Sequence, residues 1–463
     1  MGVALDATGV YVAGITGDAL PGQVHVGGLD VFVRKYDFNG TELWTRQFGT
    51  PGFDLTVALT ADSSGVYVGG QTNGTLPGQT SSGDFDAFVR KYDPNGTELW
   101  TRQFGTASFD AGGRFATDAS GVYVVGRTQG TLPGQTSSGD FDAFVRKYDP
   151  NGTELWTRQF GTASSDMAFG VAAGSGGVYV VGWTRGTLPS QTSSGDFDAF
   201  VRKYDPNGTE LWTRQFGTTA RDSASVVTAE ASGVYVAGEV GGTLPGQVGA
   251  GGSDAYVRRY DSAGSELWTR QFGSAEFDTL NGITVDSAGI YVAGDTSGAL
   301  PGQVSSGDSD GFVRKSDLTG SEVWTRQFGT ASRDGAFGIA VHSSGVYASG
   351  STHGTLPGQI SSGAIDAFLI SLSNLTPKQA LQELIADVVG LNLKQGISNS
   401  LDAKLEAAVQ ALDDLNENNN VAAINALIAF MNYVEAQRGI HITDSDANDL
   451  INQAQQLIAT LGG

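Results

Sequence analysis

A Gly-[Val/Ile]-Tyr segment begins at Gly9, Gly65, Gly121, Gly177, Gly233, Gly289 and Gly345, so every interval is 56 residues. A period that holds over seven copies without one insertion or deletion requires a single supersecondary unit, repeated in register and burying its apolar faces on its neighbours. A string of unrelated domains is excluded.

The second copy shows how the unit is built. Gly65–Gly70 is a short β-branched and aromatic run between glycines, the pattern of a strand. Asp86–Tyr92 (DAFVRKY) alternates and predicts a second strand. In Asp93-Pro94-Asn95-Gly96 proline presets φ and Asn-Gly accepts positive φ, which predicts a tight turn. Glu98–Phe104 (ELWTRQF) is then a third strand, antiparallel to the second. The segment after Asp110, seen best at Gly335–His342, predicts a fourth, glycine-rich strand. Four short strands per unit, seven units and no helical periodicity predict an all-β, seven-bladed β-propeller over residues 1–373, in preference to a solenoid. Glycine and alanine in the fourth segment suit a crowded central channel, and Trp100 and Phe104 suit a wide outer strand. Glycine supplies 67 of 463 residues, about twice the usual share, as frequent turns require.

The motif DAFVRKYDxNGTELWTRQFGT, followed by DxSGVYVAGxT, resembles the SBBP repeat family of bacterial extracellular β-propellers over about residues 1–373. The resemblance implies a fold and a secreted or cell-surface setting, not an activity.

The outer-strand motif occurs six times, at Trp44, Trp100, Trp156, Trp212, Trp268 and Trp324, while the seventh unit leaves the pattern after DAFLISLS. The last blade is therefore expected to lack its outer strand. Met1 falls inside a strand of the first unit, and residues 1–14 carry no signal peptide, so an upstream segment is expected to be absent from this sequence. Within each blade Arg90 is expected opposite Trp100, with Glu98 one diagonal away. In the seventh unit Leu369, Ile370 and Leu372 make this edge apolar, as if the C-terminal region covered it.

From residue 374 to 463 helical periodicity replaces the repeat and predicts a four-helix module. Thr376-Pro377-Lys378-Gln379 reads as a capping box opening a helix with Leu381, Leu384, Ile385 and Val388 inward. A second helix is expected after Ser400, and a third over Val421–Arg438, ended by Gly439. A fourth is capped by Thr443. AKLEAAVQAL, AFMNYVEAQRG and IHITDSDANDLINQAQQLI resemble the FIMAH module at the C-termini of bacterial secreted proteins, which brings no chemistry with it.

Lys and Arg number 27 against 49 Asp and Glu, and this net charge of −22 argues against nucleic acid or an anionic membrane as partner. The absence of cysteine excludes disulfides, thiolate zinc sites and thiol catalysis. No apolar run reaches transmembrane length. A monomer without a cofactor is expected.

Aspartates recur at Asp30, Asp86, Asp142, Asp198, Asp254, Asp310 and Asp366, and again at Asp54, Asp110, Asp166, Asp222, Asp278 and Asp334. Calcium would need more ligands than survive in every copy, because the neighbouring acid becomes Gly28, Gly252 and Ala364; acceptance of turn amides accounts for the pattern. Asn-Gly-Thr at Asn39, Asn95, Asn151 and Asn207 spells a glycosylation sequon, yet the turn explains it.

Variation inside the frame is the stronger functional signal. After the glycine closing each Gly-Val-Tyr strand come Ile15, Gln71, Arg127, Trp183, Glu239, Asp295 and Ser351. Two places on are Gly17, Asn73, Gln129, Arg185, Gly241, Ser297 and His353; the loop before the glycine-rich strand varies through Phe53, Phe109, Ser165, Arg221, Phe277 and Arg333. In an antiparallel blade these loops share a face with the GTLPGQ loops, and diverse side chains on one face suit recognition of a glycan or protein. The ligand-contacting residues expected are Trp183, Arg185, Arg221, Arg127, His353 and His25, the two histidines falling on one face of the first and seventh blades. His441 reads as structural. The alternative is a hydrolase or lyase, lactonase-like or glycosidase-like, with its site at the channel mouth. That would need polar residues breaking the symmetry of the inner strand, which reads mainly as Gly, Ala, Val and Phe, and no nucleophile-elbow or zinc-protease motif occurs.

Overall fold

The computed structural model describes all residues except 1, 39, 175, 343–344, 357–358, 360, 362, 373–376, 392, 414–418 and 462–463. Among the described residues the strands form seven antiparallel sheets, a seven-bladed β-propeller, and four helices follow. The chain divides into two compact units, residues 1–285 and 286–463.

Each sheet runs in sequence order from an inner to an outer strand. In the second blade these are Asp54–Asp62, Gly65–Thr72, Asp86–Tyr92 and Glu98–Phe104. The two middle strands are covered on both faces, so Val66, Tyr67, Val68, Ala87, Phe88 and Val89 are all fully buried. That is why they read as nearly continuous apolar runs instead of alternating. The Asp93 carboxylate closes the turn by accepting the Asn95 and Thr97 amides at 2.9 and 2.8 Å, and Gly96 takes φ +80.

Two local irregularities shift what the sequence pattern suggests. A bulge between Lys91 and Tyr92 places Trp100 opposite Lys91 and Thr101 opposite Arg90. Arg90 is therefore not Trp100's partner. It donates to Thr101 Oγ1 at 2.8 Å, lies 3.3 Å from Glu98, and stacks 3.9 Å above Phe48 of the preceding blade. Trp100 faces the other way, onto the next blade: its Nε1 and Lys91 Nζ donate to the Pro150 carbonyl, and Arg102 Nε donates to the Gly152 carbonyl at 2.7 Å. The second bulge lies in the inner strand, between Thr56 and Ala58, and leaves Val57 exposed. A bulge re-aims one side chain, here the residue between the two strand-paired neighbours.

The seventh sheet has three strands, Asp334–His342, Gly345–Thr352 and Asp366–Leu372. Ile370 and Leu372 pack against the cluster holding Trp324, with Phe328 beside them. Leu369, however, is 64% exposed, so no helix covers it and the expected apolar dock is not made. The alternation of a strand sends Leu369 to the opposite face from its neighbours.

The helices are α1 (Pro377–Gly390), α2 (Gln395–Asp413), α3 (Asn419–Gln437) and α4 (Asp444–Thr460). Their core, including Leu381, Leu384, Leu405, Leu427, Phe430 and Leu450, is drawn from the helical region alone. α2 starts five residues before the expected Ser400, because Ile397 is buried and adds a turn. The Asp446 amide donates to Thr443 Oγ1 at 3.1 Å, the expected cap; Thr376 lies outside the described residues.

Candidate ligand-binding face

The variable loops do share one face, and backbone bonds hold them there. Within a blade the loop after the second strand is tied to the loop before the inner strand: the Gln129 amide donates to the Phe109 carbonyl, Arg185 to Ser165, and Gly241 to Arg221. Between blades the first amide of each inner strand donates back to the preceding blade, Asp110 to Phe85, Asp166 to Phe141 and Asp222 to Phe197. The side chains at these junctions are thus presented on fixed backbone.

Buried aspartate pairs stiffen each junction. Asp142 Oδ2 accepts the Ser138 amide and Gln159 Nε2, while Asp166 Oδ2 accepts the amide and hydroxyl of Thr162. The two carboxyls approach across Gly161, where a side chain would collide with both. Their Oδ1 atoms are buried without hydrogen-bond partners. Burial raises the pKa of Asp166 to about 6, tempered by hydroxyl and amide neighbours, and the Asp142 charge adds to the rise. Asp222 is raised to about 6 by the same causes. These aspartates are turn acceptors, as their spacing suggests. Among the described residues no group of three or more His, Asp or Glu side chains could hold a metal ion.

The expected contact residues separate on inspection. Trp183 lies inside the strand Gly177–Thr184, paired with Met167 and Ala199, and is only 9% exposed. Its ring meets Phe197 edge-on at 4.8 Å. It is a platform rather than a probe. Arg185 and Arg221 are exposed and both sit over that same Phe197, at 4.8 and 4.9 Å, with Arg185 also 3.2 Å from Asp196. One blade away, half-buried Arg127 lies between Phe109 and Phe141, at 5.2 and 4.9 Å, and reaches Met167 Sδ at 3.7 Å. Arginine stacked flat on an aromatic ring keeps its N–H edge outward, where a carboxylate can take two bonds. Phe197 itself is half-buried, with both arginines over its ring. His25 is half-buried and His353 exposed. They belong to different compact units.

The GTLPGQ loops also serve the frame. Leu76 and Leu132 are buried, the Leu76 amide donates to Gln103 Oε1, and Gln79 Oε1 accepts the Gln103 amide. In the second blade the loop is thus a clamp on its own outer strand.

Sequence reasoning passed over Arg114. It stands on the inner strand of the third blade, where other copies carry Ala58, Gly170, Val226, Gly282 and Gly338. Aligning the seven inner strands column by column would have found it.

The SBBP β-propeller repeat model matches residues 267–301. Regulatory protein FlaEY of Caulobacter vibrioides is 29% identical over 367 residues, covering 70% of this chain and 38% of that protein. The chain thus spans well under half the length of that relative. Among solved structures, the WD40 β-propeller domain of Doa1 matches 80% of this chain and 91% of its own, with 11% identity and a TM-score of 0.43. Phage phi92 endosialidase matches 81% of this chain and 67% of its own, with 10% identity and a TM-score of 0.41. Likenesses at that level carry no functional assignment. Among the described residues no helix is long and apolar enough to cross a membrane.

Proposed function

We propose that this chain is a binding scaffold that recognises an acidic glycan or protein surface through the sector of the variable face built by blades three to five, with no catalysis of its own. One observation carries the reading. The arginine of each DAFVRKY strand is matched by an acid of its own blade, as Arg90 by Glu98, Arg146 by Glu154 and Arg202 by Glu210, and the arginine of the ELWTRQF strand is held by a carbonyl of the next blade, as Arg102 by Gly152. Arg127 and Arg221 lie outside that scheme, pair with no carboxylate, and occupy adjoining junctions of a chain with net charge −22. A local cationic sector on an acidic protein selects an acidic partner. The regulatory designation of the relative fits binding better than turnover. The secreted or cell-surface setting implied by the repeat, the FIMAH-like assignment of the helical module and a monomeric state form part of the proposal. The hydrolase reading finds little support, because Arg114 and Asn281, which break the inner-strand pattern, are neither nucleophile nor general base, and Ser223 and Ser225 on the fifth inner strand bond each other at 3.3 Å rather than a base.

The test is biolayer interferometry of the full chain on surfaces coated with polygalacturonate or polyglutamate, with neutral dextran as control. Binding to one acidic surface is expected, weakened at least about tenfold by Arg185→Ala/Arg221→Ala, which corresponds to about 1.4 kcal/mol. Equal binding by wild type and variant would refute the location.

A further inference from the structure

Arg114 poses a different problem from the arginines of the face. It lies four residues past Asp110 on the inner strand, so about 13 Å below the mouth at about 3.3 Å per residue. Its Nη2 donates to the backbone carbonyl of Asn281 at 2.8 Å, 167 residues away on the inner strand of the sixth blade. The side chain therefore reaches across the lumen within residues 1–285. No carboxylate pairs with it. The acids nearest along its own strand, Asp110 and Asp118, each lie four residues away, the first engaged by Thr106 and the second by Ser120 and Tyr123. The inner-strand bulge positions of the neighbouring copies bring only neutral side chains, Val57, Phe169, Ser225 and Asn281. None of the guanidinium nitrogens is buried without a partner, so the donors that do not bond Asn281 open on the lumen. Burial alone acts on its pKa, pulling it down, and no anion compensates.

We propose that the lumen holds one compact oxyanion, a carboxylate, sulfate or phosphate group, on the free N–H edge of Arg114. A guanidinium already fixed by a carbonyl bond offers a planar fork that matches an oxyanion, and the restricted lumen strengthens the attraction relative to open water. The edge on offer is that of one guanidinium already held by a carbonyl, so the ligand is a single small group. The site stands apart from the mouth sector, and its failure would leave that reading intact.

The experiment melts the full chain, followed by tryptophan emission, in sodium chloride replaced stepwise at constant ionic strength by sulfate, phosphate or acetate. A ligand bound only by the folded state raises the melting temperature as the logarithm of its concentration once that passes Kd, whereas general salt effects grow in proportion to concentration. Wild type is expected to show such a logarithmic rise with at least one of the three anions. Arg114→Met, which keeps the alkyl volume and removes the charge, should lose that rise, and in chloride alone should melt no lower than wild type. Arg114→Lys should bind at least about tenfold more weakly than wild type, since it keeps the charge without the fork. Arg185→Ala/Arg221→Ala should keep the rise, separating lumen from mouth. The same rise in wild type and Arg114→Met, or no logarithmic rise with any anion, would overturn the proposal. If Arg114→Met does not fold, Arg114→Lys decides: oxyanion affinity equal to wild type counts against the fork.

Discussion

Asp166→Asn should stabilise the propeller at pH 8 and lose that advantage under acid conditions. The carboxyl is fully buried beside Asp142, and its folded-state pKa stands at about 6 against an ordinary 3.8. Roughly two units at about 1.4 kcal/mol each set a ceiling of about 3 kcal/mol on the strain of holding it ionised. Asparagine keeps an oxygen for the Thr162 amide and hydroxyl and removes the negative charge beside Asp142. It gives up the charge assistance in those two bonds, worth about 1 kcal/mol. The net expectation is about 1–2 kcal/mol of stabilisation at pH 8. The folded state binds the Asp166 proton more tightly than the unfolded chain, so wild type gains stability as pH falls from about 6 toward 3.8. The variant has no such proton to gain, and the difference closes over that window. All seven tryptophans lie in the propeller, so urea titrations at pH 5 and pH 8 read by tryptophan emission follow it without the helices. A variant destabilised equally at both pH values would refute the reasoning.

Two further predictions concern the frame. Gly152→Ala and Gly134→Ala both place a side chain at positive φ, +79 and +72, but only Gly152 would drive it into the Trp100 ring, while Gly134 has open space. Gly134→Ala should cost about 1–2 kcal/mol and Gly152→Ala about 1–3 kcal/mol more in the same titration; equal costs would dismiss the rim lock. Leu427→Ala empties a fully buried position of the helical core and should cost about 2–5 kcal/mol in the helical transition at 222 nm, leaving the tryptophan transition in place. A parallel shift of both would mean that the helices and the propeller unfold as one.

The period, the turns and the strand inventory were legible because each is written as local chemistry: Asp-Pro-Asn-Gly can do little but turn. What escaped was register. One bulge at Lys91 exchanges the partners of Arg90 and Trp100, and no spacing announces it, since the extra residue is absorbed within a strand of unchanged length. Trp183 misled for a related reason: composition marks it as loop-like variation, yet it falls one residue before the strand ends and its ring turns inward. The GTLPGQ-type segments look like free loops because glycine and proline dominate, while Leu76, Leu132, Leu188, Leu244 and Leu300 are sunk in the core. Arg114 was visible as a letter and hidden as a fact, because attention to what repeats averages away what does not.

That asymmetry bears on how function can be sought in such a chain. The repeat-encoded arginines have a physical account inside the repeat: Arg90 has a hydroxyl and a glutamate from its own blade and an aromatic ring from the preceding one. Arg114 has one backbone carbonyl. An unpaired guanidinium held in a restricted lumen costs up to several kcal/mol, a large share of a folded protein's margin of about 5–15 kcal/mol. Alanine, glycine or valine serves at that position in the other copies and carries no such cost. The fold does not need the charge, so its explanation lies with something the lumen binds. The same reasoning applies more weakly to Arg127 and Arg221, which recover part of their cost by stacking on Phe109, Phe141 and Phe197. Ranked by how little the frame accounts for them, Arg114 comes first, and its substitution by methionine is the sharper test.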